Sequence, residues 1–295
     1  MSNLSVNTQQ PSESIDSFKY KAIWFLLVTT LFSWITWGTG FLLNEGDATS
    51  SNFFLFILIG SFGPSLGAII TTWRFDGIFG LKQLFSTIFI FRFHPLHYLL
   101  ITLLLPAVVA IVFWLGGMRP SEDIPAAIVY LTVLISSING LVGIFGGAGP
   151  LGEELGWRGY LLPLLLSQYS KLQTNLILGI IWALWHYPLI ILSPAFREGF
   201  SIPVYMLVYP IIVIFITILM TNVWLVSRKS IFIAIWFHST ANILLGYATN
   251  SVWNLDNMSI PMVFALSTIA FGIAALLSEL YVHKIKLGQH SNPDI

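Results

Sequence analysis

The sequence predicts an all-α, polytopic membrane protein with about eight transmembrane helices and a short broken or re-entrant helix that carries a Glu-Glu motif. Hydrophobic residues make up 56% of the 295 residues and charged residues only 9%, whereas a soluble domain carries roughly 25% charged residues. Apolar stretches close to the ~20 residues that a bilayer requires recur along the chain. Glu153 and Glu154 interrupt this pattern inside an apolar stretch.

Composition also excludes several classes of function. The formal net charge is zero, which offers no basic surface for nucleic acid. The chain has no cysteine, so disulfides, thiolate nucleophiles and cysteine-based metal sites are excluded. The lipid bilayer is therefore the first predicted partner, and the predicted location is the cell membrane.

The chain divides into two short tails and one membrane domain. Residues 1–18 are polar and predict a disordered N-terminal tail, 19–286 a single transmembrane domain, and 287–295 a C-terminal tail. The predicted spans are 22–43, 53–72, 97–115, 125–146, 172–193, 203–222, 230–248 and 261–281. Segment 78–95 is amphipathic and predicts an interfacial helix.

Segment 151–167 is apolar but too short to predict a separate span. It follows residues 143–152, where five glycines and a proline make a continuous helix improbable. Irregular backbone at membrane depth is tolerated only when protein or a wet cavity shields it. We therefore expect a broken or re-entrant element at this point.

The distribution of lysine and arginine predicts the orientation. With both termini cytoplasmic and 151–167 not crossing fully, ten basic residues lie inside: Lys19, Lys21, Arg74, Lys82, Arg92, Lys171, Arg228, Lys229, Lys284 and Lys286. Arg119 and Arg197 lie outside. This bias predicts a multi-pass protein with both termini in the cytoplasm.

The first candidate site is Glu153-Glu154-Leu-Gly-Trp-Arg158. Each ionisable group at mid-bilayer costs about 2.5–3.5 kcal/mol, so such groups are functional candidates by default. Glu154 and Arg158 are four residues apart and can pair on one helix face. Glu153 is rotated by about 100° from Glu154 and is free to hold a proton or a water. Alternatively, both carboxylates only cap a short helix.

His186 lies deep in an apolar span, at a depth that matches Glu153. Counted from Tyr169 in the intervening turn, Glu153 is sixteen residues back and His186 seventeen forward. An antiparallel hairpin therefore places both about 25 Å from the turn. Alternatively, His186 is a core histidine bonded to a carbonyl. Trp157, Trp182 and Trp185 also lie near the polar motif in sequence.

His238 and Asn242 are four residues apart and face the same way on a later span. They could hold a water, a metal or a developing oxyanion, or form only a polar contact between helices. Counted from the nearest basic residues, His238 lies about 7 Å shallower than His186, which helix tilt must absorb. If a metal such as zinc is used, its predicted ligands are Glu153, His186 and His238, a pattern of two histidines and one carboxylate.

These three motifs together resemble the CAAX protease and bacteriocin-processing family of intramembrane endopeptidases. The resemblance covers about residues 150–245, the expected catalytic core. It implies that Glu153 activates the attacking water with help from His186, and that His238 and Asn242 bind the oxyanion. Glu154 and Arg158 would hold the site together. The implied mechanism is either glutamate-only or metal-dependent.

The leading hypothesis is an intramembrane endopeptidase that hydrolyses a peptide bond in a membrane-associated peptide or protein, including CAAX-type prenyl-protein or bacteriocin-related processing. Two alternatives remain. One is a non-catalytic bacteriocin-immunity or scaffold protein that binds a peptide in the same cavity. The other is a proton-coupled transporter in which the buried charges form a relay.

Overall fold

The computed structural model describes residues 15–91, 95–120, 125–143, 148–197, 200–248, 253–254 and 259–291. Its α-helices in these ranges are α1 Ile15–Leu43, α2 Ser51–Gly60, α3 Gly63–Ser86, α4 Pro95–Leu115, α5 Ala126–Leu134, α6 Ser136–Gly143, α7 Ala148–Gly156, α8 Leu162–Leu166, α9 Lys171–Trp185, α10 Tyr187–Leu192, α11 Ile202–Val226, α12 Ile231–Ala248 and α13 Ile260–Ser291. Short 3₁₀ turns cover Thr87–Phe89 and Pro194–Phe196, and a π-helical turn covers Trp157–Leu161. Two short strands, β1 Arg119–Pro120 and β2 Trp253–Asn254, pair antiparallel.

This architecture confirms the predicted all-α membrane class. Among the described residues, five helical segments are long and apolar enough to cross a bilayer: Ile15–Leu43, Ser51–Phe89, Lys171–Leu192, Ile202–Val226 and Ile260–Ile285. Two shorter apolar helices, Leu103–Leu115 and Ile231–Gly246, accompany them. The predicted number of eight spans therefore stays a prediction.

The segment predicted as an interfacial helix, 78–95, begins directly after a kink in α3. Gly77 has φ 63° and ψ −159°, a combination essentially confined to glycine. It divides α3 into two helical parts, of which the second runs to Ser86 and is followed by the 3₁₀ turn to Phe89. The interfacial position of this second part stays a prediction, and residues 92–94 lie outside the described part.

The predicted span 125–146 is divided into two short helices. Ile135 separates α5 from α6, with φ −88° and ψ 7°, outside the α-helical region. Residues 144–147 lie outside the described part of the chain. Ser136 and Ser137 directly follow Ile135, but the mean hydropathy of a whole span does not reveal a break at one residue.

The predicted tail boundaries fall inside helices. Helix α1 begins at Ile15, with Asp16 in its first turn, where a carboxylate suits the helix dipole. Phe18 is buried and packs edge-on against Tyr169, with ring centroids 5.8 Å apart. At the other end α13 runs to Ser291. The remaining parts of the predicted tails 1–18 and 287–295, namely residues 1–14 and 292–295, lie outside the described residues.

Glycine allows two helix pairs to approach closely. A Cβ on Gly140 of α6 would meet the backbone nitrogen of Thr240 in α12 at 2.8 Å. Likewise, a Cβ on Gly152 of α7 would lie 2.7 Å from the carbonyl oxygen of Ser61, just before α3. Real side chains essentially never approach this closely, so these contacts require glycine. They let α6 pack closely on α12, and α7 pack closely at the start of α3.

Candidate active site

The two glutamates lie on a helical run from Ala148 to Leu166 whose middle turn is π-helical. This run corresponds to the element predicted at 151–167. A π turn accommodates one residue more than an α turn and often occurs at functional sites. Gly152 and Gly156 share one face of the run and pack on the backbone of Ser61 and Pro64. Glu153 and Glu154 therefore face the opposite neighbours, α9 and α12.

Glu154 is the centre of a buried charged group. Its Oε1 atom accepts hydrogen bonds from Arg158 Nη1 at 2.9 Å and from His238 Nδ1 at 2.8 Å. Glu154 and Arg158 are 0% exposed and His238 is 4% exposed. The predicted ion pair four residues apart is thus confirmed, and a histidine on α12 extends it. Because a carboxylate only accepts, Nδ1 of His238 carries a proton and Nε2 is left for the cavity.

Glu153 makes different contacts, as its rotation from Glu154 predicted. Its Oε2 atom accepts hydrogen bonds from the indole nitrogens of Trp182 at 2.8 Å and Trp157 at 3.3 Å. An indole nitrogen can only donate, so Oε2 is held as an acceptor. A proton taken up by this carboxyl therefore goes to Oε1. Glu153 is 4% exposed and lines the cavity described below.

His186 lies at the bend between α9 and α10. Its Nδ1 atom lies 2.9 Å from the carbonyl oxygen of Trp182, and because a carbonyl only accepts, Nδ1 is the donor. The other nitrogen, Nε2, then has a free lone pair in the neutral ring. The alternative of a histidine bonded to a carbonyl is thus present in the structure, yet His186 lines the same cavity as Glu153.

Glu153, His186 and His238 line a cavity of about 460 Å³. Four of the six predicted site residues line it: Glu153, His186, His238 and Asn242. Its remaining wall is largely aromatic and aliphatic, with Tyr205, Tyr209, Val213, Ile216, Val263 and Phe264 among its members. The volume falls in the range of small-molecule and peptide sites. The cavity can therefore hold an extended, apolar segment beside the polar cluster.

The two remaining predicted residues, Glu154 and Arg158, lie behind this wall, where they contact His238 and the ring of Trp182. The depth mismatch expected between His238 and His186 does not separate them, since both line one cavity. The hydrogen bond between His238 and Glu154 places these two side chains next to each other.

The metal-ligating side chains that come together in the described part of the chain differ from the predicted set. Ligand atoms of Glu153, Glu154 and His238 lie within 4.8 Å of one another. His186 is not in this group, although its Nε2 atom is not used by the bond from Nδ1 to the carbonyl of Trp182. Two carboxylates and one imidazole suit zinc in number and type. The predicted ligation by His186 stays a prediction.

The hydrogen bond from Trp182 to Glu153 was not predicted from the sequence. Its nearness to the motif was visible in the sequence, and it lies four residues before His186, which places both on one helix face. Its bond to Glu153 joins α9 to α7 across 29 residues. A single sequence contains no signal for such a pairing, because tryptophan in a membrane helix is also typical of interfacial belts.

Comparison with known proteins places this site inside a recognised domain. Residues 135–244 match the family described as Type II CAAX prenyl endopeptidase Rce1-like. The CAAX prenyl protease 2 of Methanococcus maripaludis is 28% identical over 246 residues, which cover 78% of this chain and 85% of that protein. All six predicted site residues fall within the matched domain.

Proposed function

Because the chain belongs to the CAAX protease and bacteriocin-processing family, we propose that it is an intramembrane endopeptidase in which Glu153 activates the attacking water. The observation that carries this proposal is the Glu153 carboxylate, held by two indoles beside two histidines in one buried cavity. The comparisons favour this function over the immunity-scaffold and transporter hypotheses.

The proposed reaction begins with a water between Glu153 and His186. Glu153 Oε1 takes one proton, the lone pair of His186 Nε2 orients the other hydrogen, and the hydroxide attacks the carbonyl carbon. His238 Nε2–H and the Asn242 amide donate to the oxyanion of the tetrahedral intermediate. Glu154 holds the His238 ring in place through the Nδ1 hydrogen bond, as the aspartate does in a catalytic triad. The proton on Glu153 then passes to the leaving amine as the C–N bond breaks.

The proposed substrate is a membrane-associated protein whose cleavage site is flanked by a lipid or by apolar side chains. The aromatic and aliphatic cavity wall supports this proposal, as does the name of the methanogen relative, a CAAX prenyl protease. A farnesylated peptide ending in a Cys-aliphatic-aliphatic-X sequence is therefore the first probe. In liposomes, a quenched fluorescent version reports cleavage directly.

A comparison of protein N-termini tests the function without assuming a substrate. Cells that express the wild-type chain are compared with cells that express Glu153→Gln at the same level. We expect a set of N-termini that occurs only with the wild type, and the residues around those sites define the substrate class. Identical profiles under several growth conditions, together with no cleavage of the farnesylated peptide, would rule out the endopeptidase.

A divalent metal would be held by Glu153, Glu154 and His238. When bound, such an ion polarises a carbonyl and increases the acidity of water. In this chain, however, one oxygen of each glutamate already accepts two N–H bonds. The guanidinium of Arg158 also supplies positive charge beside Glu154. We therefore propose a glutamate-only mechanism.

Removal of metal tests this mechanism. We expect the enzyme to keep most of its rate towards the farnesylated peptide after dialysis against a strong chelator, because no step depends on a bound ion. The metal content of the dialysed sample is measured by mass spectrometry. A loss of activity that added zinc restores would contradict the glutamate-only mechanism and would favour the predicted metal site.

We also propose that both termini face the cytoplasm. Contacts between Phe18 and Tyr169 and between Lys171 and Glu279 gather the start of α1, the start of α9 and the end of α13. Arg119 lies on β1, which pairs with β2 beyond the C-terminal end of α12. Helix α12 is about 27 Å long and starts just after Arg228 and Lys229. The basic residues Arg228 and Lys229 thus lie at the N-terminal end of α12, and Arg119 lies beyond its C-terminal end.

Thiol labelling tests this orientation cleanly, since the chain has no cysteine. Single variants Arg119→Cys and Lys284→Cys are treated with a membrane-impermeant maleimide. We expect Arg119→Cys to react in intact cells and Lys284→Cys only after the membrane is permeabilised, because the bias of basic residues favours their cytoplasmic placement. The reverse pattern would invert the proposed topology.

A further inference from the structure

We infer that Trp182 is a positioning residue that sets the working geometry of Glu153 and both histidines. The inference rests on the proposed endopeptidase function and deepens it. Trp182 is 3% exposed and contacts the functional side chains of three different helical elements. Its indole nitrogen, its ring and its backbone carbonyl each contact a different partner.

The indole nitrogen acts on Glu153. Its bond to Oε2, at 2.8 Å, is shorter than the second bond from Trp157 at 3.3 Å. By holding Oε2 as an acceptor, Trp182 leaves Oε1 as the atom that takes the proton from water. Oε1 lies on the side of Gly149, where an added Cβ would be 3.2 Å away. The bond therefore decides which oxygen meets the water and fixes its direction.

The backbone carbonyl acts on His186. Helix α9 ends at Trp185, and the next helix α10 begins at Tyr187, with Pro188, which has no N–H, in its first turn. The backbone nitrogen of His186 bonds to Ala183 and not to Trp182. The carbonyl of Trp182 is then available to the His186 ring, which it holds with Nδ1 as donor. This bond leaves the lone pair of Nε2 for the cavity.

The ring acts on the group around Glu154. The guanidinium carbon of Arg158 lies 4.3 Å from the ring centroid, in the geometry of a cation–π contact. The ring of His238 meets it edge-on, with centroids 5.0 Å apart and an interplanar angle of 90°. Both partners of Glu154 are thus packed against one rigid indole. A single side chain connects Glu153 to Arg158, His186 and His238.

The test replaces Trp182 by phenylalanine, which keeps a ring but removes the donor. With the farnesylated peptide in liposomes, we expect kcat to fall about 10- to 100-fold, the value of a hydrogen bond to a charged group, while KM changes less than about twofold. Trp157→Phe removes the longer bond and should lower kcat less. Trp224→Phe is the matched control, because its buried indole nitrogen has no hydrogen-bond partner among the described residues.

A second measurement does not depend on catalysis. A hydrophobic carbodiimide modifies protonated membrane carboxyl groups, and mass spectrometry of the Glu153 peptide measures the rate. The bond from Trp182 holds Oε2 of Glu153 in place, and its loss leaves the carboxyl more mobile and more accessible to the reagent, so Trp182→Phe should be modified several times faster than Trp224→Phe. Trp157→Phe should fall between them.

The two measurements separate failure of the inference from failure of the function. If the wild type cleaves the peptide and Trp182→Phe matches Trp224→Phe in both kcat and labelling, the inference is overturned. If no variant cleaves the peptide but the labelling order holds, the proposed function fails and the positioning role stands. If Trp182→Phe does not fold, the Trp157→Phe labelling rate decides, and a rate equal to that of Trp224→Phe overturns the inference.

Discussion

Replacement of Glu153 by glutamine is expected to lower kcat towards the farnesylated peptide by about 10³-fold or more. General-base catalysis contributes about 10²–10⁴-fold, and an amide cannot take the proton that Oε1 receives in the proposed reaction. Glutamine keeps an oxygen that can accept from Trp182, so the cavity should retain its shape. The measurement is the initial rate at saturating peptide, with the folded fraction of each variant checked by thermal unfolding.

Glu279→Gln is the matched control for this variant. Glu279 is a second glutamate of the helical domain, but it pairs with Lys171 at 2.5 Å and does not line the catalytic cavity. Its replacement should leave kcat within about twofold, as for an exposed ion pair. Retention of more than a tenth of the wild-type rate by Glu153→Gln would show that another group activates the water.

Replacement of Arg158 by methionine is expected to destabilise the protein by about 3–5 kcal/mol, because it leaves the buried carboxylate of Glu154 without its cationic partner. Glu154 is 0% exposed, and its remaining described partner is His238. The free energy of unfolding is measured by denaturant titration in detergent micelles. The double variant Glu154→Gln with Arg158→Met removes the stranded charge and should recover at least half of the loss.

Lys21→Met provides the comparison at the surface. Lys21 pairs with Asp76 at 2.8 Å, with side chains 17% and 38% exposed, and such pairs contribute about 0–1 kcal/mol. We therefore expect a small change in the free energy of unfolding. A double variant as unstable as Arg158→Met alone would mean that Arg158 acts through packing on Trp182 and not through the charge of Glu154.

Helix periodicity was sufficient to predict half of the candidate site. The four-residue spacing predicted the bond between Glu154 and Arg158, and the equal distances from Tyr169 predicted that Glu153 and His186 share a depth. Both inferences concern residues within one hairpin. Its geometry follows from 1.5 Å of rise per residue and a short turn.

Contacts between hairpins could not be predicted in the same way. His238 reaches Glu154 because Gly140 lets α6 approach α12, and α7 packs on α12 in turn. The bonds from Trp157 and Trp182 to Glu153 depend on this same packing. The break at Ile135 was also not predicted, because Ser136 and Ser137 follow it inside a segment whose mean hydropathy predicts one span. A single sequence does not show which helices pack against each other, and so it does not show which distant side chains are in contact.

The π-helical turn at Trp157–Leu161 sets the rotation of α7 about the helix axis relative to α8. An α-helix turns by about 100° per residue. The extra residue of a π turn therefore rotates the side chains of α7 by roughly 100° relative to those of α8. Deletion of one residue in this turn would restore regular winding and rotate α7 relative to α8. The glutamates would then turn towards α3. Gly152 and Gly156 would lose their close contacts with the backbone of Ser61 and Pro64. We therefore expect deletion of one residue from the π-helical turn to disturb the site more than a conservative substitution of one apolar residue in α8.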